Sequence, residues 1–207
     1  MSQILILGIG NLLWADEGFG VRCVETLARR YVLPPRVVAI DGGTQGLYLL
    51  PYLQEAERMI VFDAIDYGLA PGSLRLVEND QVPRFMGAKK MSLHQTGFQD
   101  VIAAATLTGR CPREMLLIGV QPVELDDYGG SLRPIVKARI DDALGIAVER
   151  LSSWGCELRL REMSGELALK DANATGDINS NALAMDVYES GRPSAEAACR
   201  IGDARYL

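Results

Sequence analysis

The stretch "ILILGIGNLLWADEGFG", Ile4 to Gly20, carries the first decision about the fold. Gln3 to Ile9 is a near-continuous apolar run, the pattern of a strand buried on both faces of a parallel sheet. A Gly8-x-Gly10 turn follows. Leu13 then stands where the dinucleotide fingerprint has its third glycine, and the adjacent acids Asp16 and Glu17 would repel a pyrophosphate. From Glu17 to Tyr31 the period becomes helical: Val21, Val24, Leu27, Ala28 and Tyr31 form the apolar stripe, with Arg22, Glu25 and Arg29 between them. A buried strand, a glycine turn and an amphipathic helix make the first half of a βαβ unit.

The same alternation continues along the chain. Pro34-Pro35 ends the first helix, and Arg36 to Ile40 reads as a second strand closed by the turn "DGGT", Asp41 to Thr44. A helix is expected over about Gln45 to Ala56, and "MIVFDA", Met59 to Ala64, is a third strand ending on an aspartate. After the turn "APGS" comes a short strand, "LRLVE", and Ser92 opens a helix reaching about Leu107. "MLLIGV", Met115 to Val120, is a further buried strand, and a last helix is expected over about Leu132 to Ser153. Strands separated by helices predict an α/β fold, a three-layer α/β/α sandwich around a mainly parallel, twisted sheet. One domain, residues 1–160, is expected to hold this core. Residues 161–207, with the polar, aperiodic "KDANATGDINSN", are expected as a loosely attached tail, an ordered packing arm being the alternative.

Bulk properties narrow the function. The chain has 207 residues, 48% of them hydrophobic, enough for one globular core. A net charge of -6 gives no electrostatic reason to expect nucleic acid or an anionic membrane as partner. No apolar run approaches the roughly 20 residues that span a bilayer. No signal peptide is read at the N-terminus, since no Lys or Arg precedes Ile4. Cys23, Cys111, Cys156 and Cys199 form no C-x-x-C pair, which favours reduced structural thiols and a cytoplasmic location.

Ligands in open parallel sheets collect outside the carboxyl ends of the strands, so the polar residues there are the candidates. Asn11, Asp16 and Glu17 follow the first strand; Asp16 as a helix N-cap and Glu17 as a first-turn acid is the structural alternative. Asp41 ends the second strand before Gly42 and Gly43, which a tight turn with positive φ would explain. Asp63 ends the third, with Asp66 the more natural turn aspartate. His94, the one histidine of the protein, falls in a first helical turn if Ser92 and Gln95 form a capping box. The helix dipole there keeps imidazole neutral, the form that binds metal. One histidine and two carboxylates from three βα turns suit a divalent transition metal such as nickel, zinc or manganese. No G-x-S-x-G elbow, H-E-x-x-H helix or Walker loop is present, and Cys23 reads as a small core residue.

Four pieces in order are similar to the hydrogenase maturation proteases: "ILILGIGNLLWADEGFGVR", "DGGTQG", "DAID" with "APG", and "SLHQTGFQDVIAAATLTG". The resemblance runs from about Ile4 to Ser153 and includes the strand "LLIGVQP". It implies an α/β/α fold and an endopeptidase that trims the C-terminal extension from the large-subunit precursor of a nickel-iron hydrogenase. The implied metal-contacting residues are Glu17, Asp63 and His94, with nickel supplied by the precursor as the recognition signal. The turn at Asp41, Gly42 and Gly43 is a candidate substrate contact. A nickel-sensing chaperone that binds the precursor without cutting it would use the same three ligands, and a nucleotide-binding module is the remaining alternative.

Overall fold

The computed structural model describes residues 3–86 and 93–161, with side chains excepted for 84–86 and 93–96. Its strands are β1 (Gln3–Ile9), β2 (Tyr31–Val32), β3 (Val37–Gly43), β4 (Ala56–Ala64), β5 (Leu74–Glu78), β6 (Glu114–Val120) and β7 (Arg159–Leu160). Its helices are α1 (Phe19–Arg30), α2 (Leu50–Glu55), α3 (Gln81–Met86), α4 (Leu93–Leu107), α5 (Pro134–Lys137) and α6 (Ile140–Ser153). Short 3-10 turns at Ala15–Gly18 and Gly46–Leu49 lead into α1 and α2.

The central sheet has the order β3-β1-β4-β6-β5, parallel except for β5, which runs antiparallel to β6. Alternation along each strand splits the core into two. Ile4, Ile6, Ile60, Phe62, Leu116 and Ile118 face α1 and α6. Leu5, Leu7, Met59, Val61, Met115 and Leu117 face the layer that holds Leu53 of α2 and Phe98 of α4. Strands buried on both sides have no polar face to show, which is why their sequences read as unbroken apolar runs. The expected three-layer α/β/α sandwich with a mainly parallel sheet is the architecture found.

Several details differ from the sequence reading. The helix expected over 45–56 is a 3-10 turn and the short α2, because Pro51 suits the start of a helix and the next strand already begins at Ala56. The helix expected from Leu132 is split into α5 and α6. Gly42 and Gly43 lie within β3 rather than in a turn beyond it. Arg22 and Glu25, read as the polar side of α1, are 3% and 8% exposed, joined by a 2.8 Å ion pair. Helix α1 packs on β1, β3 and β4 and also touches α6, so little of its circumference meets water.

Strands β2 and β7 form a separate antiparallel ribbon past the end of α1, where the guanidinium of Arg161 donates to the carbonyls of Ala28 and Tyr31. Of the expected tail, residues 161–207, all after Arg161 lie outside the described residues, as does Ser92, the expected member of a capping box. Among the described residues no helix is long and apolar enough to cross a membrane.

Candidate functional site

The strand order creates one switch point. From β1 the chain passes through α1 to β3 on one side, then through α2 to β4 on the other, with α1 and α2 on opposite faces of the sheet. Such a crevice, outside the carboxyl ends of β1 and β4, is where ligands bind in doubly wound folds. The turn after β1 carries Glu17, and β4 ends at Asp63 and Ala64. Because β4 pairs with β1, Asp63 stands beside the turn that carries Glu17.

The glycines of the opening stretch serve packing at this crevice. A Cβ on Gly8 would fall onto the carbonyl of Gly20, and one on Gly10 (φ +132°) onto the carbonyl of Glu17. Gly20 in turn has no room for a side chain between the carbonyls of Ile9 and Phe62. Backbone therefore meets backbone where α1 begins, and Glu17 is drawn down to the ends of β1 and β4. The place a side chain at position 10 would take is filled by the Glu17 carbonyl.

Asp16 is neither a helix cap nor a surface acid. It is fully buried, and no side chain caps the 3-10 turn or α1. Its Oδ2 accepts the backbone N–H groups of Val123 (2.8 Å) and Glu124 (3.0 Å), and its Oδ1 accepts that of Arg133 (2.7 Å). The Asp16 N–H donates to the Glu124 carbonyl, the Gly129 N–H to the Leu13 carbonyl, and Trp14 stacks edge-on against Tyr128 at 5.3 Å. One carboxylate thus ties the Glu17 turn to the long loop after β6. Sequence reasoning missed this role because the donors lie more than a hundred residues away. Asn11, by contrast, makes a local turn, its Oδ1 accepting the Leu13 N–H at 3.0 Å.

Asp63 is fully buried, and alternation puts it on the α4 side, beside Gly119 of β6 in register. The ring of Tyr67 lies on the same side. Burial and the negative charge of Asp63 push the Tyr67 hydroxyl above its ordinary pKa, against the nearby Arg75 guanidinium. Asp66 is the turn residue anticipated, its Oδ1 accepting the Gly68 N–H at 2.9 Å.

His94 is the second residue of α4, in its first turn, and its side chain is outside the described atoms. The helix start is placed by Gly97, one turn on. A Cβ there would lie 3.4 Å from the Cα of Gly46, in the loop leaving the carboxyl end of β3. The first turn of α4 therefore sits at the carboxyl end of the sheet, on the face to which Asp63 belongs. Among the described side chains no group of three His, Cys, Asp or Glu gathers as a metal centre. Of the anticipated set, two members, Glu17 and Asp63, are among those side chains. Glu17 follows β1 and Asp63 lies at the end of the adjacent strand β4.

Asp41 points the other way, toward α1. Burial first and the charge of Glu25 second raise its carboxyl from 3.8 to about 6, against the Gly43 N–H and the Arg22 guanidinium. Gly43 (φ +41°) passes its carbonyl to the Gly10 N–H at 3.1 Å, and Gly42 is wedged against Ile9 and Leu49. The raised carboxyl makes a stability prediction. The folded state binds a proton at Asp41 that the unfolded chain releases at lower pH, so this group's contribution is full below about 4 and is lost as pH rises through about 6. Asp41→Asn should therefore raise the melting temperature more at pH 7 than at pH 4.5, which parallel thermal melts would measure.

Cys23 lies on the core face of α1, and burial raises its thiol pKa, as befits an inert structural residue. Cys156 is also buried; Cys111 is half-buried and its thiol is raised by burial.

Comparison with known proteins agrees with this layout. The family described as hydrogenase maturation protease matches residues 21–150. The hydrogenase expression/formation protein HupD of Rhodobacter capsulatus is 59% identical over 206 residues, covering all of this chain and 93% of its own. The hydrogenase 2 maturation protease of Escherichia coli K12 is 40% identical over 161 residues, 77% of this chain and 97% of that protein. The structure of the hydrogenase maturating endopeptidase HybD from E. coli superposes with a TM-score of 0.74 at 39% identity, over 78% of this chain and 99% of that one. The extra length of this chain thus has a counterpart in HupD and none in the E. coli enzyme. With the family matched over most of the chain and the same sheet found in its solved members, this protein belongs to the hydrogenase maturation proteases.

Proposed function

We propose that this protein cuts the C-terminal extension from the large-subunit precursor of a nickel-iron hydrogenase once nickel is in place, with Glu17, Asp63 and His94 meeting that nickel. The observation that supports the reading most is the switch point. Glu17 leaves one of its two strands, Asp63 ends the other, and the first turn of α4 lies on the Asp63 face. Nickel carried by the precursor would polarise the scissile carbonyl or activate water as a Lewis acid. The protein's own residues supply position. Their carboxylates and imidazole fix the precursor so that the peptide is held in line for attack, which by itself removes a large part of the barrier. The strand end Asp41–Gly43 would form a wall of the crevice against which the peptide lies. The cytoplasm is the proposed compartment, with residues 1–160 as the catalytic unit and 161–207 as an appended segment.

A protein substrate also accounts for the apolar rim. Leu13, Leu47, Tyr48, Leu69, Val123 and Tyr128 are exposed, and every one sits in a loop leaving the carboxyl end of a parallel strand. Tyr48, in the 3-10 turn after β3, is 84% exposed. Tyr48→Ser is expected to raise KM for the precursor about 5-fold or more, the scale of an interface tyrosine, with kcat unchanged.

The deciding experiment is the intact mass of a nickel-loaded precursor before and after incubation, beside a nickel-free precursor and the His94→Ala protein. Release of one C-terminal peptide that needs both nickel and His94 is the expected result. An unchanged mass with a tight complex would replace the protease by a chaperone.

A further inference from the structure

We propose that Tyr67 is a positioning residue for Asp63, its hydroxyl held beside that carboxylate by a clamp built on Gln121; the inference rests on the reading of Asp63 given above. Asp63 and Gly119 are paired across the parallel β4–β6 ladder, so their side-chain directions project to the same face as immediate neighbours. A Cβ on Gly119 would fall onto the Tyr67 hydroxyl, and within 2.9 and 3.0 Å of its ring atoms Cε2 and Cζ. The hydroxyl therefore occupies the place a side chain at 119 would take, alongside Asp63. Any residue other than glycine at 119 would expel it.

The loop carrying Tyr67 is fixed more firmly than a surface turn needs. Gln121, 6% exposed, directs its Oε1 at the N–H groups of Tyr67 (2.8 Å) and Leu69 (3.1 Å). Its Nε2 donates to Asp66 Oδ1 at 3.0 Å, the atom that also receives the Gly68 N–H. The Ile65 N–H bonds the Val120 carbonyl at 3.0 Å, and the Arg75 guanidinium lies 5.6 Å from the centre of the Tyr67 ring. A buried amide whose oxygen and nitrogen both serve one loop locks that loop to the end of β6. What it locks in place is the phenol beside Asp63. A phenol packed there limits the directions the carboxylate can take, as groups behind a ligand do.

The test compares steady-state processing of a nickel-loaded precursor, with thermal melts, for wild type, Tyr67→Phe, Gln121→Met and the double variant. Tyr67→Phe keeps the ring and should lower kcat about 10-fold, with KM within about 2-fold and the melting temperature nearly unchanged. Gln121→Met keeps the hydroxyl but frees the loop and should also lower kcat. Because both act through Asp63, the double variant should fall no further than the worse single one. Wild-type kcat in Tyr67→Phe, a change in KM alone, a loss that merely follows the melting temperature, or additive losses would each overturn the inference. A wild-type protein that releases no peptide overturns the protease reading itself, and the inference with it.

Discussion

Asp63→Asn is expected to slow release of the precursor's C-terminal peptide by about 10²- to 10³-fold while the protein stays folded. The magnitude follows from the proposed role. A Lewis-acid arrangement contributes several kcal/mol to a hydrolytic transition state, and each 1.36 kcal/mol is a factor of ten. Asparagine keeps the shape of the side chain and one oxygen but removes the charge that would hold a cation. Stability should not suffer, because Asp63 is fully buried and an ionised carboxylate at that depth is costly to keep out of water. Single-turnover processing with excess enzyme, together with a thermal melt, separates the two effects. Wild-type processing by a folded Asp63→Asn protein would remove Asp63 from the site and leave Glu17 and His94 without a common partner strand.

The second large effect is on stability and falls on the neighbouring acid. Asp16→Ala strips the acceptor from three backbone donors, the N–H groups of Val123, Glu124 and Arg133. Hydrogen bonds to a charged group contribute more than neutral ones, and part-buried donors left without their acceptor are only partly recovered by water. Together these predict a loss of about 3–5 kcal/mol, or roughly 10 °C in melting temperature for a chain of this size. Asp16→Asn, which retains one acceptor oxygen, should lose about half as much. The loop after β6 should also open first, seen as faster hydrogen exchange at Val123, Glu124 and Arg133 in Asp16→Ala. Because Glu17 is the next residue, processing should fall more than the folded fraction does. An Asp16→Ala protein with unchanged melting temperature would show that water replaces the carboxylate without cost.

These two adjacent acids show how unevenly the sequence could be read. Glu17 was reachable because it follows a buried strand and a glycine turn, and strand-end carboxylates are candidates on general grounds. Asp16 has the same local context and a different task, which depends on donors at Val123, Glu124 and Arg133 that no periodicity reveals. Asp41 likewise lies near the end of its strand, as Asp63 does. Alternation of side chains along β3 and β4 sends one toward α1 and the other toward α4, and that parity depends on where each strand begins. Tyr67 carried no signal at all, because its meaning lies in Gly119, on a strand more than fifty residues away.

By itself the sequence determined the alternation of buried strands and helices, hence the layered α/β fold, because apolar period is a local property of the chain. It also determined which residues stand just past a strand or at the start of a helix, among them Glu17, Asp63 and His94. Tertiary structure alone decided that β1 and β4 are neighbours, that β5 runs antiparallel, and that the glycines at 8, 10 and 20 bring backbone against backbone. It also decided that Asp16 holds a distant loop. Strand order, side-chain parity and the partners of buried polar groups are set by contacts between segments far apart in the chain. Those contacts are fixed only when both faces of the sheet are covered at once.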